Sequence, residues 1–271
     1  MLDWPWPGGY LRRCHSCAFV FRDPVAAAET YEALYAEAPS TVWSTSRLRG
    51  DRAYVAEMIA MHSTGPVDVL DVGCYTGQLL GTLDVRCRKF GVEASRAAAA
   101  VAECDGVEII ARTTSELGQI NQRFDVVVAI DVIEHLLDPS VFLRQMLDLT
   151  RPGGLVMVST GDADAWPWRL AGAAYWYSEM AEHVSFISSS WAKRFAEQHC
   201  VPIEGMQRFR YYDEIDPGRW RSQLRFWVAA AKIALRHRLA RLRGGADSQP
   251  RWILGGAGLF ADHFVFALRK R

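Results

Sequence analysis

The sequence predicts a doubly wound α/β fold: a seven-stranded, mostly parallel sheet with an N-terminal appendage and a basic helical insertion near the C-terminus. Three observations carry this. Between residues 67 and 160, short β-branched runs alternate with helical stretches. The strands read as continuous apolar runs, the pattern of parallel strands covered on both faces. The first of them, "VDVLDV", enters a glycine-bearing turn, "GCYTG".

Taken in order, residues 1–50 form a leading module that contains Cys14 and Cys17. "VDVLDV" is followed by a helix from about Gly77, and "KFGVE" by the alanine-rich "ASRAAAAVAEC". "VEII" leads into a polar segment, "FDVVVAI" into a helix over "EHLLDPSVFLRQMLDL", and "RPGGLVMVST" closes the series. Right-handed crossovers connect such strands. Residues 161–187 are aromatic, broken by Gly and Pro, and lack periodicity, which predicts a lid beside the ligand crevice. "SSSWAKRFAEQHC" reads as a capped helix, and "IEGMQRFRYY" and "DHFVFAL" as two strands at the far edge. The chain thus divides into a leading module (1–50), a core that includes the lid (51–200), and final strands around a basic helix (201–271).

A chain of 271 residues can hold one large domain with appendages. Its 31 basic and 31 acidic residues cancel, which argues against nucleic acid as a partner. Six cysteines, mostly scattered through apparent core segments, fit a reducing compartment rather than a disulfide framework. There is no apolar signal region at the N-terminus and no run of 18 apolar residues, so a cytoplasmic protein is expected.

Parallel α/β sheets bind ligands at the carboxyl ends of their strands. Asp71, Gly73, Cys74 and Gly77 lie there, and Glu93 follows at the end of the second strand, where an acid can accept both hydroxyls of a ribose. A dinucleotide wants G-x-G-x-x-G, because its pyrophosphate presses on bare backbone. Here the turn is G-x-x-x-G with Tyr75 inside it. S-adenosylmethionine (SAM) carries ribose and adenine without phosphate, and its zwitterionic end brings an ammonium that suits Asp71. The turn therefore favours SAM over NAD, and its N–H groups are expected to face the polar ligand.

"VLDVGCYTGQLL", "GVEAS", "FDVVVAIDVIEHLLDP" and "RPGGLVMVST" occur in the order and spacing of class I SAM-dependent methyltransferases, which the chain resembles over roughly residues 48–200 and the last strand. "AEHVSFISSSWAKRFAEQHC" extends the likeness toward ubiquinone-biosynthesis O-methyltransferases and relatives of sugar and lipid pathways. The resemblance implies a Rossmann-like methyltransferase fold and a methyl transfer, with oxygen the expected target, to a small-molecule acceptor that is amphiphilic or a carbohydrate intermediate. It places Asp71, Gly73 and Gly77 at the methionine end of SAM and Glu93 on the ribose. Asp131 and Val132 then stand near the sulfonium. Thr113 and Thr114 occupy a loop where many relatives carry an acid that touches adenine. The alternative reading is a SAM-binding regulatory or scaffolding protein without turnover.

Methyl transfer is an in-line displacement that needs alignment, and a base where the nucleophile is protonated. His135 and His183 are the candidate catalytic residues. Asp131, Glu134 and His135, at i, i+3 and i+4 of an expected helix start, could converge on a divalent ion. The preferred reading has no metal, with Glu134 capping the helix and His135 packing on cofactor. "CHSC" supplies two of the four ligands of a structural zinc site; relatives that resemble this chain carry a second Cys-x-x-Cys upstream, absent here. Finally, eight Arg or Lys and no acid occur between Asp216 and Asp247. A basic amphipathic helix over 219–243 would suit an anionic membrane surface, or else would pack on its own domain. The oligomeric state is left open.

Overall fold

The computed structural model describes residues 2–6, 9–41, 50–62, 65–178, 180–211, 219–242 and 259–271. Seven strands form the main sheet: β4 (Val67–Val72), β5 (Cys87–Val92), β6 (Glu108–Ala111), β7 (Phe124–Ile130), β8 (Thr150–Gly161), β10 (Ile203–Phe209) and β11 (His263–Arg269). Their order is β10-β11-β8-β7-β4-β5-β6. All neighbouring pairs are parallel except those made by β11, which runs antiparallel to both β8 and β10. β4 is flanked by β5 on one side and β7 on the other, so the strand order switches at β4, whose carboxyl end is where open α/β sheets bind ligands.

The expected crossover helices are present, with the capping their sequences imply. Ser95 caps α4 (Arg96–Cys104) by accepting the Ala98 N–H, and Ser188 caps α7 (Ser189–Gln198) through the Trp191 N–H. The helix expected from Glu134 starts later. Ile133–His135 make a single 3-10 turn, and α5 (Pro139–Leu149) begins only after Asp138. Asp138 accepts the Val141 N–H at 2.9 Å, and Pro139 suits a first turn that needs no amide donor. The helix after the glycine turn, α3 (Gln78–Gly81), is a single short piece.

Both faces of the sheet are packed. One carries Leu70, Val72, Val127, Ile133, Phe142 and Leu143; the other carries Val69, Val126, Met157 and the helix α2 (Gly50–His62) through Val55 and Ile59. At the amino ends of the strands, buried Asp68 accepts Arg88 (2.5 and 2.7 Å) and Arg151 (2.8 Å), and Arg151 also binds Asp125. These carboxylates are fully paired, which leaves the carboxyl ends as the chemically open pole.

The leading residues make a hairpin, β1 (Leu2–Trp6), β2 (Gly9–Arg13) and β3 (Val20–Asp23), followed by α1 (Ala28–Ala36). The sequence patterns do not show that β3 pairs with β9 (Ser185–Phe186), a strand of the aromatic segment 161–187, to make a second, four-stranded sheet. In the aromatic segment 161–187, α6 (Trp166–Ala171) shares one aromatic cluster with the hairpin and α8 (Arg219–Leu242); it includes Leu11, Trp168, Tyr175, Phe186 and Phe226. Arg243 lies outside the described residues, as do the side chains of Arg236, Leu239 and Leu242.

Candidate active site

The turn after β4 owes its shape to three residues in the left-handed region: Gly73 (φ 77°), Tyr75 (φ 50°) and Gly77 (φ 76°). At Gly73 glycine is required twice, since a Cβ would also lie 2.4 Å from Val132 Cγ2. Four of the turn's N–H groups, expected to address the ligand, are engaged within the protein. Gly73 and Cys74 donate to the Val92 carbonyl, Tyr75 to Glu93 Oε2 (2.8 Å) and Gly77 to the Cys74 carbonyl. The turn is tied to the end of β5 instead. A tyrosine is tolerated because its side chain swings outward, where its hydroxyl donates to the Pro39 carbonyl. Cys74, expected to touch the cofactor, instead packs its side chain in the core beside Gly91; burial pushes its thiol well up, and only its backbone serves the turn.

Asp71 is buried, and its Oδ1 has no hydrogen-bond partner among the described residues. Burial raises its pKa to about 7, against the opposing pull of the Arg52 guanidinium. A buried acceptor without a donor is rare and calls for a ligand group. Arg52, on α2, also donates to Gln78 at the start of α3. Nothing in the turn's spacing singles out Arg52, since it reaches the site from 19 residues upstream of Asp71. Glu93 is buried too, and burial raises its pKa. Its oxygens accept the Tyr75 and Ser95 amides, each at 2.8 Å, and the carboxylate keeps acceptor capacity for a hydroxyl. The Ser95 hydroxyl donates to the Ala38 carbonyl at 2.6 Å, so residues 38–39 cross this end of the cleft. Beyond β6, the Thr113 hydroxyl lies 2.6 Å from that of Ser115, and Thr114 opens a 3-10 turn. The acid of this loop is Glu116, which accepts the Arg112 amide.

At the end of β7, Asp131 is left-handed (φ 54°) and donates its N–H to the Ser159 carbonyl, with Val132 against Gly73. Because no α-helix starts here, Asp131, Glu134 and His135 do not share a helix face. Glu134 instead meets His135 and His183, with one ligand atom of each within 4.8 Å of the others. Nor does Glu134 cap a helix. It is buried, with Oε2 accepting the Thr160 hydroxyl (2.9 Å) and Oε1 that of Tyr177 (2.5 Å), and burial raises its pKa. The two imidazoles meet edge-to-face at 4.8 Å between centroids. His135 Nδ1 lies 2.7 Å from the Tyr35 hydroxyl and 3.1 Å from the Glu182 carbonyl.

His183 is buried, and desolvation followed by the nearby His135 pushes its pKa well down, so it is neutral. Its Nδ1 faces the Tyr177 carbonyl at 3.0 Å. A carbonyl only accepts, so the proton is on Nδ1 and Nε2 keeps a lone pair. The segment that carries His183 is held by Arg22 of β3, whose buried guanidinium donates to the carbonyls of Ser178 and Met180, each at 2.6 Å, and of His183. Arg22 and Tyr35 lie in the leading module and carry no motif, so sequence reasoning missed both.

Residues 32–201 match the family model described as a methyltransferase domain. Curated relatives include the ubiquinone biosynthesis O-methyltransferases of Bradyrhizobium diazoefficiens (30% identical over 116 residues, 40% of this chain and 46% of that protein) and Serratia proteamaculans (35% over 117 residues, 40% and 48%). The matched stretch therefore spans about half the length of these relatives. Among solved structures, the N-methyltransferase NodS from Bradyrhizobium japonicum, in complex with S-adenosylhomocysteine (SAH), superposes with a TM-score of 0.52 at 10% identity, over 90% of this chain and 99% of that one. The methyltransferase bound to the Trm112 activator of Haloferax volcanii gives 0.54 at 13% identity, over 81% and 91%. At these identities the superpositions show a shared fold.

Proposed function

The chain belongs to the methyltransferase-domain family, and from that premise we propose that it transfers the methyl group of SAM to a small-molecule acceptor. The carrying observation is Asp71 Oδ1, a buried carboxylate oxygen without a partner at the mouth of the glycine turn. It fits the ammonium of the methionine end. When bound, SAM supplies a methyl group activated by its sulfonium. Asp71 binds the ammonium, with Gly73 allowing close approach and Gly77 turning the chain. Glu93 accepts the ribose hydroxyls with the lone pairs its amide donors leave. Thr113 and Thr114 border the adenine end, and Asp131 and Val132 the sulfonium.

His183 Nε2 and His135 are placed to take a proton from an acceptor hydroxyl, with Glu134, Tyr177 and Tyr35 fixing the two rings. O-methylation follows from this pair of bases and from the relatives' printed activity. The aromatic walls from Trp168 to Tyr177 suit an acceptor with a large apolar part. We place its source at an anionic membrane surface reached through α8; no helix among the described residues is long and apolar enough to cross a membrane.

Calorimetric titration of SAM and SAH tests the reading. Wild type is expected to bind both. Asp71→Asn keeps the shape and removes the charge, and is expected to weaken both by about tenfold to a hundredfold, the equivalent of about 1.5–3 kcal/mol for a hydrogen bond to a charged group. No binding to wild type would overturn the proposal.

A further inference from the structure

The helix α8 carries three faces. Phe226 points inward, is buried, and packs edge-to-face on Phe260. Trp220, Leu224, Trp227, Val228, Ala231 and Leu235 recur at helical spacing and fall in one stripe about 100° wide. This stripe faces outward, its large side chains ranging from 48% to 61% exposed. Beside it stand Arg221, Arg225 and Lys232, all exposed. The stripe continues onto the lid: half-exposed Trp166 of α6 stacks on Trp227, with ring centroids 4.2 Å apart and planes within 11°.

We propose that this composite surface, the α8 stripe with Trp166, seats on a lipid bilayer rich in anionic headgroups. Solvent-facing tryptophan and leucine at regular spacing match the apolar boundary of a bilayer, and a row of cations along one side matches its phosphates. A second copy is a poorer occupant, because antiparallel pairing of two such stripes brings like-charged rows together and parallel pairing leaves both rows without a counter-charge. A duplex nucleic acid would match the cations and leave the stripe unburied. The arrangement also has a consequence for the acceptor. Trp168, two residues from Trp166 on α6, meets Tyr177 edge-to-face at 5.5 Å, and Tyr177 donates to Glu134. The docked surface and the proposed reaction site are therefore joined through one lid element. The inference deepens the membrane reading of the proposed function; the docking itself does not depend on catalysis.

The test is flotation of the full chain with vesicles of phosphatidylcholine alone or mixed with phosphatidylglycerol, paired with hydrogen exchange. Wild type is expected to float with the mixed vesicles and to detach as salt is raised. Arg225→Glu with Lys232→Glu is expected to cut partitioning about tenfold or more, and Leu224→Glu with Leu235→Glu to abolish it. Mixed vesicles should slow exchange in both α8 and α6. Binding by the Leu variant equal to wild type, protection of α8 without α6, or a wild-type dimer that the Leu variant dissolves and that binds no vesicle would each overturn the proposal. SAH titration into the Leu variant reports that it is folded. If wild type floats yet binds no SAH, the methyl-transfer reading fails and the docking stands.

Discussion

Arg22 holds His183 from the far end of the chain. Its buried guanidinium donates to the His183 carbonyl oxygen and to those of Ser178 and Met180. The backbone N–H of the same residue donates to the Val184 carbonyl, and the Val184 N–H donates to the backbone carbonyl of Glu134. One arginine thus fixes Ser178 and residues 180–184 while they lean on the proposed acid–base cluster.

Arg22→Ala is expected to leave the buried carbonyls of Ser178 and His183 without donors, and that of Met180 open to water, and to lower stability by about 3 kcal/mol, measured by urea unfolding. In conditions where the variant is folded, SAH affinity should stay near wild type, because Asp71 and Glu93 do not touch Arg22. The turnover number should fall with the loss of His183 placement. Arg22→Lys should recover only part of both losses, since a single ammonium cannot reproduce the planar fork. Equal losses in SAH affinity and turnover would contradict this division of labour.

Asp71 predicts the pH dependence of cofactor binding. Its folded pKa of about 7 lies above that of a free carboxyl group, so the ligand-free fold retains a proton that the unfolded chain has released. The contribution of this group to stability is full at pH below about 4 and is lost as pH rises toward 7. A bound ammonium favours the carboxylate, so binding below pH 7 must expel the proton. Affinity for SAH should therefore rise with pH to about 7 and then level off. Calorimetry in buffers of different ionisation heat should detect the proton release, and Asp71→Asn should flatten the curve.

The sheet was legible because its strands are buried on both faces. "FDVVVAI" coincides with β7 and "VDVLDV" with β4, where an apolar run bounded by turn residues leaves little choice. The glycine turn was legible for its positive φ but not for its hydrogen bonds, which depend on where β5 ends. The start at Glu134 misled because residues 133–149 share one apolar rhythm, while Asp138 and Pro139 mark the true first turn. Arg22, Tyr35 and Arg52 were invisible for a different reason. Each reaches the site by tertiary packing, from the hairpin, α1 and α2, and no local pattern announces it.

The two histidines should separate by kinetics. If His183 Nε2 takes the acceptor proton, His183→Ala should lower the turnover number by about a hundredfold to ten-thousandfold, with SAH affinity unchanged. Tyr35→Phe removes the hydroxyl 2.7 Å from His135 Nδ1 and should produce a smaller loss. Chelation with EDTA should leave the rate unaltered. A loss that magnesium restores would instead make Glu134, His135 and His183 a metal site.

Gly73 offers the sharpest test of how backbone shape serves the site, because two costs can be measured apart. Alanine there must adopt φ near 77°, which costs about 1–2 kcal/mol wherever its methyl points. It must also fit a methyl 2.4 Å from Val132 Cγ2, an overlap that forces either the turn or β7's end to move, for a further 1–3 kcal/mol or so. Val132→Ala removes the obstructing methyl and leaves the dihedral as it was. In a double-mutant cycle, Val132→Ala should therefore rescue the steric part of the Gly73→Ala loss and none of the conformational part. The coupling should appear in stability and in SAH affinity together, since the turn carries the backbone that follows Asp71. Full rescue would mean that the left-handed conformation is free at this position; no rescue would mean that Val132 already yields to a neighbouring side chain.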